Sequence, residues 1–252
     1  MPVYQRLYDD LRHAITSGAM PPGTKLRSEA ELAKQYELAR GSVRQAIAQL
    51  SNEGLVKATA GRGTFVAEHV VLTYYGTRLP ALTGNSGDGY MTNVELEGRK
   101  GRQSLEVRMV PADADRARRL WVHEGDTLVE RRLLRYVDDK PWSLQVGYYP
   151  MRVAEGTPIM AAENVPEGTT KWMADHGLEQ VGRIDEITAR PPSVGEAATL
   201  QMSKGVPLIV LLRTAYTVDQ PVRVTETLFP ADRNRLLYEL GELHVDPNQG
   251  MP

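Results

Sequence analysis

The feature that most constrains this chain is a repeat in its second half. Residues 107–150, moved forward by 80 positions, align without a gap on residues 187–230. Pro111 falls on Pro191, Ala117 on Ala197, Leu120 on Leu200 and Gly125 on Gly205; Leu128, Tyr136, Pro141 and Pro150 meet Leu208, Tyr216, Pro221 and Pro230. Both copies follow one order of signals: a strand, a proline-started helix, a glycine turn, then two long strands separated by a turn and a proline. Helices are expected over 112–120 and 192–200. Hairpins are expected as 128–137 with 142–149, and as 208–218 with 222–229. Two such units bury their apolar faces by pairing into one antiparallel sheet with helices against it, an α+β domain with a pseudo-twofold axis.

Side-chain alternation puts Arg131, Leu133 and Arg135 on one face of their strand, and Ser143, Gln145 and Gly147 on one face of the next. Clefts where two units meet collect side chains from both and are common ligand sites. An arginine beside an amide on a half-buried sheet suits an anionic or polyhydroxyl ligand. The plainer alternative, that these arginines are ion-paired residues of the sheet, stays open at this point.

The first seventy residues carry a different pattern. Val3, Leu7, Tyr8, Leu11, Ala14 and Ile15 form the stripe of an amphipathic helix, which must stop near Ser17-Gly18 ahead of Pro21-Pro22-Gly23. Ser28-Glu29-Ala30-Glu31 reads as a capping box, with the Ser28 hydroxyl on the Glu31 N–H and the Glu31 carboxylate reaching back. A third helix over 41–53 turns Val43, Ala46, Ile47 and Leu50 inward and leaves Arg40, Arg44 and Gln45 around its start. Leu55-Val56-Lys57 and Thr64-Phe65-Val66 then form a hairpin about Gly61-Arg62-Gly63. Three helices and a basic-tipped hairpin make a winged helix-turn-helix. Its recognition helix fits a major groove, where arginine grips O6 and N7 of guanine for roughly 1–3 kcal/mol of discrimination. Hydroxyls and N–H groups at helix starts take phosphate, and a glycine-flanked arginine can approach a minor groove closely.

At these residues the chain resembles the GntR family of bacterial transcription factors. Pro22-Gly23-Thr24-Lys25-Leu26-Arg27-Ser28-Glu29, Arg40-Gly41-Ser42-Val43-Arg44-Gln45-Ala46, Glu53-Gly54-Leu55-Val56 and Gly61-Arg62-Gly63-Thr64-Phe65-Val66 carry the likeness over residues 3–66. The resemblance implies a DNA surface of Ser28, Arg40, Gly41, Ser42, Arg44, Gln45, Gly61 and Arg62. Within it, Arg40 and Arg44 read bases, Ser42 holds phosphate and Gly61 enters the minor groove. Three positions depart from the family pattern. Ala30 stands where many members have a further DNA-contacting arginine, Gly41 replaces Ser or Thr, and Ala39 replaces the usual helix-capping Ser. Loss of such a cap costs about 0.5–2 kcal/mol.

Farther on, residues 130–141 and the matching 213–221 are similar to the effector-binding UTRA domain of the HutC subfamily, over residues 88–244. That resemblance implies a chorismate lyase-like fold and an effector site at Arg131, Arg135, Gln145 and Glu226. Sugar-phosphate-binding members carry Arg-x-Arg ending six residues before the proline and a carboxylate four residues after it. Here Arg135 keeps the second arginine, while Leu133 and Gln145 replace the first and the carboxylate. Two options remain: a less charged effector, or Arg131 in the role of the missing arginine.

The expected fold class is therefore α+β, with an N-terminal winged helix-turn-helix followed by an antiparallel-sheet UTRA domain built from two repeats. The expected divisions are a DNA-binding domain over 1–70, a linker over 71–88, the effector-binding and dimerisation domain over 89–245, and a tail over 246–252. Tyr74, Tyr75 and Tyr90 near the linker read as packing residues more readily than as pocket walls.

Composition adds mainly exclusions. No cysteines occur, so disulfides, thiolate metal sites and cysteine nucleophiles are out, in keeping with a cytoplasmic protein. His13, His69, His123, His176 and His244 share no ligand spacing, so no metal or other cofactor is expected. No apolar run is long enough for a membrane span. The net charge is −2, so any attraction to DNA comes from placement of charge rather than from its sum. The resulting expectation is a non-enzymatic, homodimeric transcriptional repressor that binds double-stranded DNA at a palindromic operator and is released by a small-molecule effector. Two alternatives stand beside it: a ligand-independent repressor with a degenerate pocket, and a chorismate lyase-like enzyme.

Overall fold

A computed structural model describes residues 4–59, 61–67, 71–76, 94 and 98–240. Tyr90, His69, His244 and the tail lie outside this set. The chain divides into two compact units. One comprises residues 1–71 with 191–207 and 231–233; the other comprises 72–190, 208–230 and 234–252.

The first unit is built on three helices, α1 (Gln5–Thr16), α2 (Glu29–Tyr36) and α3 (Arg40–Asn52), followed by strands β1 (Val56–Thr59) and β2 (Gly63–Val66). The expected capping box is present: Ser28 Oγ accepts from Glu31 N at 3.3 Å, and the Glu31 carboxylate accepts from Ser28 N at 2.8 Å. Helix α3 starts at Ala39 with no side-chain cap. Leu7, Leu11, Leu32, Val43, Ala46, Leu50, Val56 and Val66 close one core, with Ile15, Ala33, Tyr36 and Ile47 packed at its margin. The hairpin pairs Val56 with Val66 and Thr59 with Gly63. Its turn needs left-handed backbone at Gly61 (φ +70°), which glycine adopts without a Cβ clash.

The second unit is a six-stranded antiparallel sheet in the order β4-β5-β6-β9-β8-β7. Its strands are β4 (Gly101–Pro111), β5 (Thr127–Val137), β6 (Lys140–Pro150), β7 (Gly182–Arg190), β8 (Leu208–Tyr216) and β9 (Pro221–Pro230). Each repeat supplies one outer strand and one hairpin, and the two halves meet where β6 pairs with β9. This is the duplicated sheet that the 80-residue offset requires. Helix α4 (Ala114–Leu120) is capped by Asp113, whose carboxylate accepts from Arg116 N at 2.8 Å, and it packs towards β9. Helices α5 (Met151–Ala154) and α6 (Thr169–Asp175), with the 3-10 turn Pro158–Met160, cover part of one sheet face around Ile159, Met173, Tyr149 and Val129.

Two expectations need correction. The helices of the two repeats are not used alike: α7 (Val194–Thr199), the counterpart of α4, belongs to the first unit. There Gly205 (φ +87°) makes a close turn, and a Cβ on it would stand 3.2 Å from the Asn52 carbonyl oxygen at the end of α3. Residues 72–75 are strand rather than linker. Leu72–Tyr75 (β3) pairs in parallel with Asn234–Leu237 (β10), and Tyr74 packs on Phe229 with ring centroids 5.2 Å apart.

Candidate DNA-reading surface and effector face

At the start of α3, Arg40, Gly41, Arg44 and Gln45 are exposed and Ser42 is half-buried; at the hairpin tip, Gly61 and Arg62 are exposed. Each position follows from the fold. Burial of Val43, Ala46 and Leu50 turns the i+1 and i+2 positions outward, and the first-turn N–H groups of α3 point away from its carbonyls. Ser28 is exposed, but its hydroxyl is committed to Glu31 on both sides, accepting from N and donating to Oε2 at 2.7 Å. Arg44 Nε donates to Glu29 Oε2 at 2.8 Å. Its guanidinium is thus braced against α2 through Nε, while the side chain stays 68% exposed. Sequence reasoning misses Glu29 as a partner, because nothing local ties the first turn of α2 to the first turn of α3.

In the sheet, directly opposed residues share a face. One face therefore carries Leu133, Gln145, Thr227 and Leu211 in one row across β5, β6, β9 and β8, and Arg131, Gly147, Thr225 and Arg213 in the next. Arg135 stands opposite Ser143 on the same face. Arg135 is 5 % exposed, and both its Nη groups donate to Gln145 Oε1 at 3.1 Å. The Ser143 and Thr225 hydroxyls lie buried on this face with no hydrogen-bond partner among the described residues. Buried hydroxyls are normally paired, so these two are candidate contacts for a polar partner.

Arg131 shares this face but has another occupation. Its Nη1 donates to Ile159 O at 2.6 Å and to Ala161 O at 2.9 Å, and its Nη2 donates to Glu163 O at 3.0 Å. Burial pulls its pKa below the usual arginine range. This guanidinium ties down the 158–163 loop, so it does not stand in for the arginine lost at Leu133. Glu226 is not brought to Arg135 either. It pairs with Val146 and Leu212 and so faces the opposite side of the sheet. There it lies near Tyr148, whose phenol pKa is pushed up to about 12 by burial first, and whose oxygen accepts from Arg116 Nη2 at 2.9 Å. Thr225 and Thr227 occupy the face where the acidic residue is expected. The repeat itself holds the signal: its offset of 80 is even, so Gln145 corresponds to Thr225, and Glu226 to Val146.

Across the same face, Arg213 donates to both Asp185 oxygens at 2.7 Å, and Tyr238 Oη donates to the same carboxylate at 2.9 Å. Burial acts to raise the Asp185 pKa, but the Arg213 hydrogen bonds and charge overcome it and hold the carboxyl below its usual value. Among the described residues, no group of three or more histidines and carboxylates is placed to hold a metal ion.

An exposed arginine-bearing recognition helix and wing, carried on the same chain as a duplicated α+β sheet with a buried polar face, define a DNA-binding regulator with a separate sensory domain. Family comparison makes this specific. Residues 3–66 match the gntR family of bacterial regulatory proteins, and residues 97–235 match the UTRA domain. The chain belongs to the GntR family and carries a UTRA domain. It is 32% identical over 242 residues to an HTH-type transcriptional regulator of Rhizobium meliloti (strain 1021), covering 94% of each chain. It is 27% identical over 247 residues to the histidine utilization repressor of Pseudomonas aeruginosa, covering 93% of this chain and 90% of that one. Among solved structures, a GntR-family transcriptional regulator superposes with a TM-score of 0.64 at 26% identity, covering 96% of this chain and 99% of that one. No helix of the described residues is long and apolar enough to cross a membrane.

Proposed function

We propose that this protein is a homodimeric, cytoplasmic transcriptional repressor that holds a palindromic operator until a small molecule binds the face containing Arg135 and Gln145. The observation that carries the DNA half is the joint exposure of Arg40, Arg44, Gln45 and Arg62 at the helix start and wing tip. Dimerisation follows from affinity. One winged helix makes too few contacts for a typical specific constant of about 10⁻⁸–10⁻¹¹ M, whereas two half-sites double them. Repression is the role of the histidine utilization relative of Pseudomonas aeruginosa.

For the effector, the chemistry offered is one buried guanidinium, one amide and the hydroxyls of Ser143, Thr225 and Thr227. That set suits a polar molecule with one anionic or carbonyl group for Arg135 and with hydroxyl or amide groups along the threonines. Leu133 lies in the same row as Gln145, so a doubly gripped phosphate is disfavoured. The ligand shifts DNA occupancy only through its differential affinity for two forms of the protein, typically about 1–3 kcal/mol of coupling.

The test is capture of genomic fragments by the full-length protein, followed by sequencing. Enrichment of one palindromic site is the expected result, and substrates of the neighbouring genes then become the effectors to assay with Arg135→Ala. Absence of any enriched site at low and moderate salt removes the regulator reading. An enriched site with no ligand response points to constitutive repression.

A further inference from the structure

Gly63, the second glycine of the wing turn, has no part in the reading surface, yet nothing larger fits in its place. Residues 23–26 run beside β2 as a third strand of the wing. Gly23 N donates to Val66 O at 3.0 Å, Val66 N to Thr24 O at 2.8 Å and Leu26 N to Thr64 O at 2.8 Å. Lys25 therefore stands opposite Phe65 on one side, and Lys57 stands opposite it on the other. Opposed residues share a face, so Lys25, Phe65 and Lys57 form one row, with Thr59 and Gly63 in the next row towards the tip. Leu26, Val56 and Val66 are buried in the core shared with the helices. That turns the lysine row outward, and both lysines are exposed.

The Lys25 side chain crosses this face diagonally. Its Nζ lies 6.0 Å from the Phe65 ring centroid. A Cβ at Gly63 would stand 2.9 Å from Lys25 Cε and 3.7 Å from Nζ. The first distance is well inside the roughly 3.5–4.0 Å at which carbon atoms meet comfortably, so the bare Gly63 backbone is the seat of the lysine stem. The ammonium is thereby carried towards the tip, over the residue that follows Arg62. Arg27, two positions on, goes elsewhere: its Nη1 donates to Gln35 Oε1 at 2.6 Å, along α2.

We propose that Lys25 is a phosphate contact of the wing, laid over Gly63 so that its ammonium meets the sugar-phosphate wall of the groove entered by the Gly61–Arg62 tip. A minor groove is only about 6 Å wide, so a tip inside it brings the flanking phosphates close to the residues just behind it. A lysine ammonium is a compact charge on a flexible stem, suited to a phosphate oxygen and blind to base identity. Lys25 thus adds affinity and fixes the wing's depth without adding sequence preference. The proposal rests on the DNA-binding reading above.

The test is an anisotropy titration of the full-length protein on its captured operator and on a random duplex of equal length, between about 50 and 200 mM salt. Lys25→Gln should reduce the slope of log affinity against log salt by about 0.9 for each wing engaged, with similar fold losses on the two duplexes. Lys25→Arg keeps the charge and should keep the slope. Lys34→Gln removes the same charge in the last turn of α2 and should leave the slope alone. Gly63→Ala displaces the stem, so it should weaken binding more in the wild type than in Lys25→Ala; this double-mutant cycle subtracts whatever the new methyl costs the turn itself. If Gly63→Ala fails to fold, the two Lys25 variants decide the matter. An unchanged slope in Lys25→Gln, an equal loss in Lys34→Gln, or a loss confined to the operator overturns the Lys25 contact alone. A wild-type protein that binds neither duplex, or binds with no salt dependence, overturns the DNA reading and the proposal with it.

Discussion

Two arginines four positions apart, Arg131 and Arg135, show how little residue type says without its surroundings. Both are nearly buried on the same sheet face. Arg131 donates to the backbone carbonyls of Ile159, Ala161 and Glu163, so it holds a loop. Arg131→Ala strands those carbonyls and is expected to cost roughly 2–4 kcal/mol of stability, given about 1–3 kcal/mol for each buried group left unpaired and partial relaxation; thermal unfolding measures it. Arg135 is held by a side-chain amide instead. Arg135→Ala is expected to leave operator binding intact and to abolish the response to effector, read as ligand-induced release in a DNA-binding assay. An unchanged response would put the effector elsewhere. On the DNA surface, Arg44→Ala should weaken operator binding by about 1–3 kcal/mol and non-specific binding by less. Equal losses on the two DNAs would remove its base-reading role.

At the scale of elements, the Asp185–Arg213 pair joins β7 to β8 and, through Tyr238 and the Gly76 carbonyl, to the chain beside them. Because the folded Asp185 pKa lies below its unfolded value, its stabilisation is complete above the ordinary carboxylate pKa and drains away as pH falls through the folded value. Asp185→Ala leaves a buried arginine unpaired and should cost roughly 3–5 kcal/mol at neutral pH, and it should flatten the acid limb of a stability-versus-pH curve. What is legible in the sequence divides along the same scale. Helix α1, the Ser28 box and both long hairpins carry their signals locally, in apolar spacing, caps and turn glycines, and each can be read to within a few residues. The β3–β10 pair is not legible, since Thr73 and Arg235 are brought together only by the finished fold. Glu226 escapes for a related reason. A strand's own sequence gives alternation alone, and only the even offset of the repeat, which aligns Glu226 with Val146, tells which of its faces meets Arg135.

For the whole molecule, a net charge of −2 means that affinity for DNA depends on a handful of local cations rather than on a global field. Specific binding should therefore fall steeply between about 50 and 200 mM salt through counterion release. A flat salt dependence in a filter-binding or anisotropy titration would count against the whole DNA reading. Ala30, which stands where many members carry an arginine, should make that slope shallower than a member retaining the arginine would give.

The seam between β6 and β9 has a further consequence. Residues on the inner face of the first repeat have counterparts 80 positions on, yet the counterparts disagree: Arg131 answers to Leu211, Leu133 to Arg213, Arg135 to Ala215 and Gln145 to Thr225. The backbone is close to symmetric, but its chemistry is handed. A molecule lying across the seam would meet the Arg135 guanidinium on one side and the Ala215 methyl group at the related position, while Arg213, opposite to Leu133 in the same sense, is already held by Asp185. Such a face would read its ligand in one direction, and a ligand with two identical ends would leave half of its polar groups unanswered.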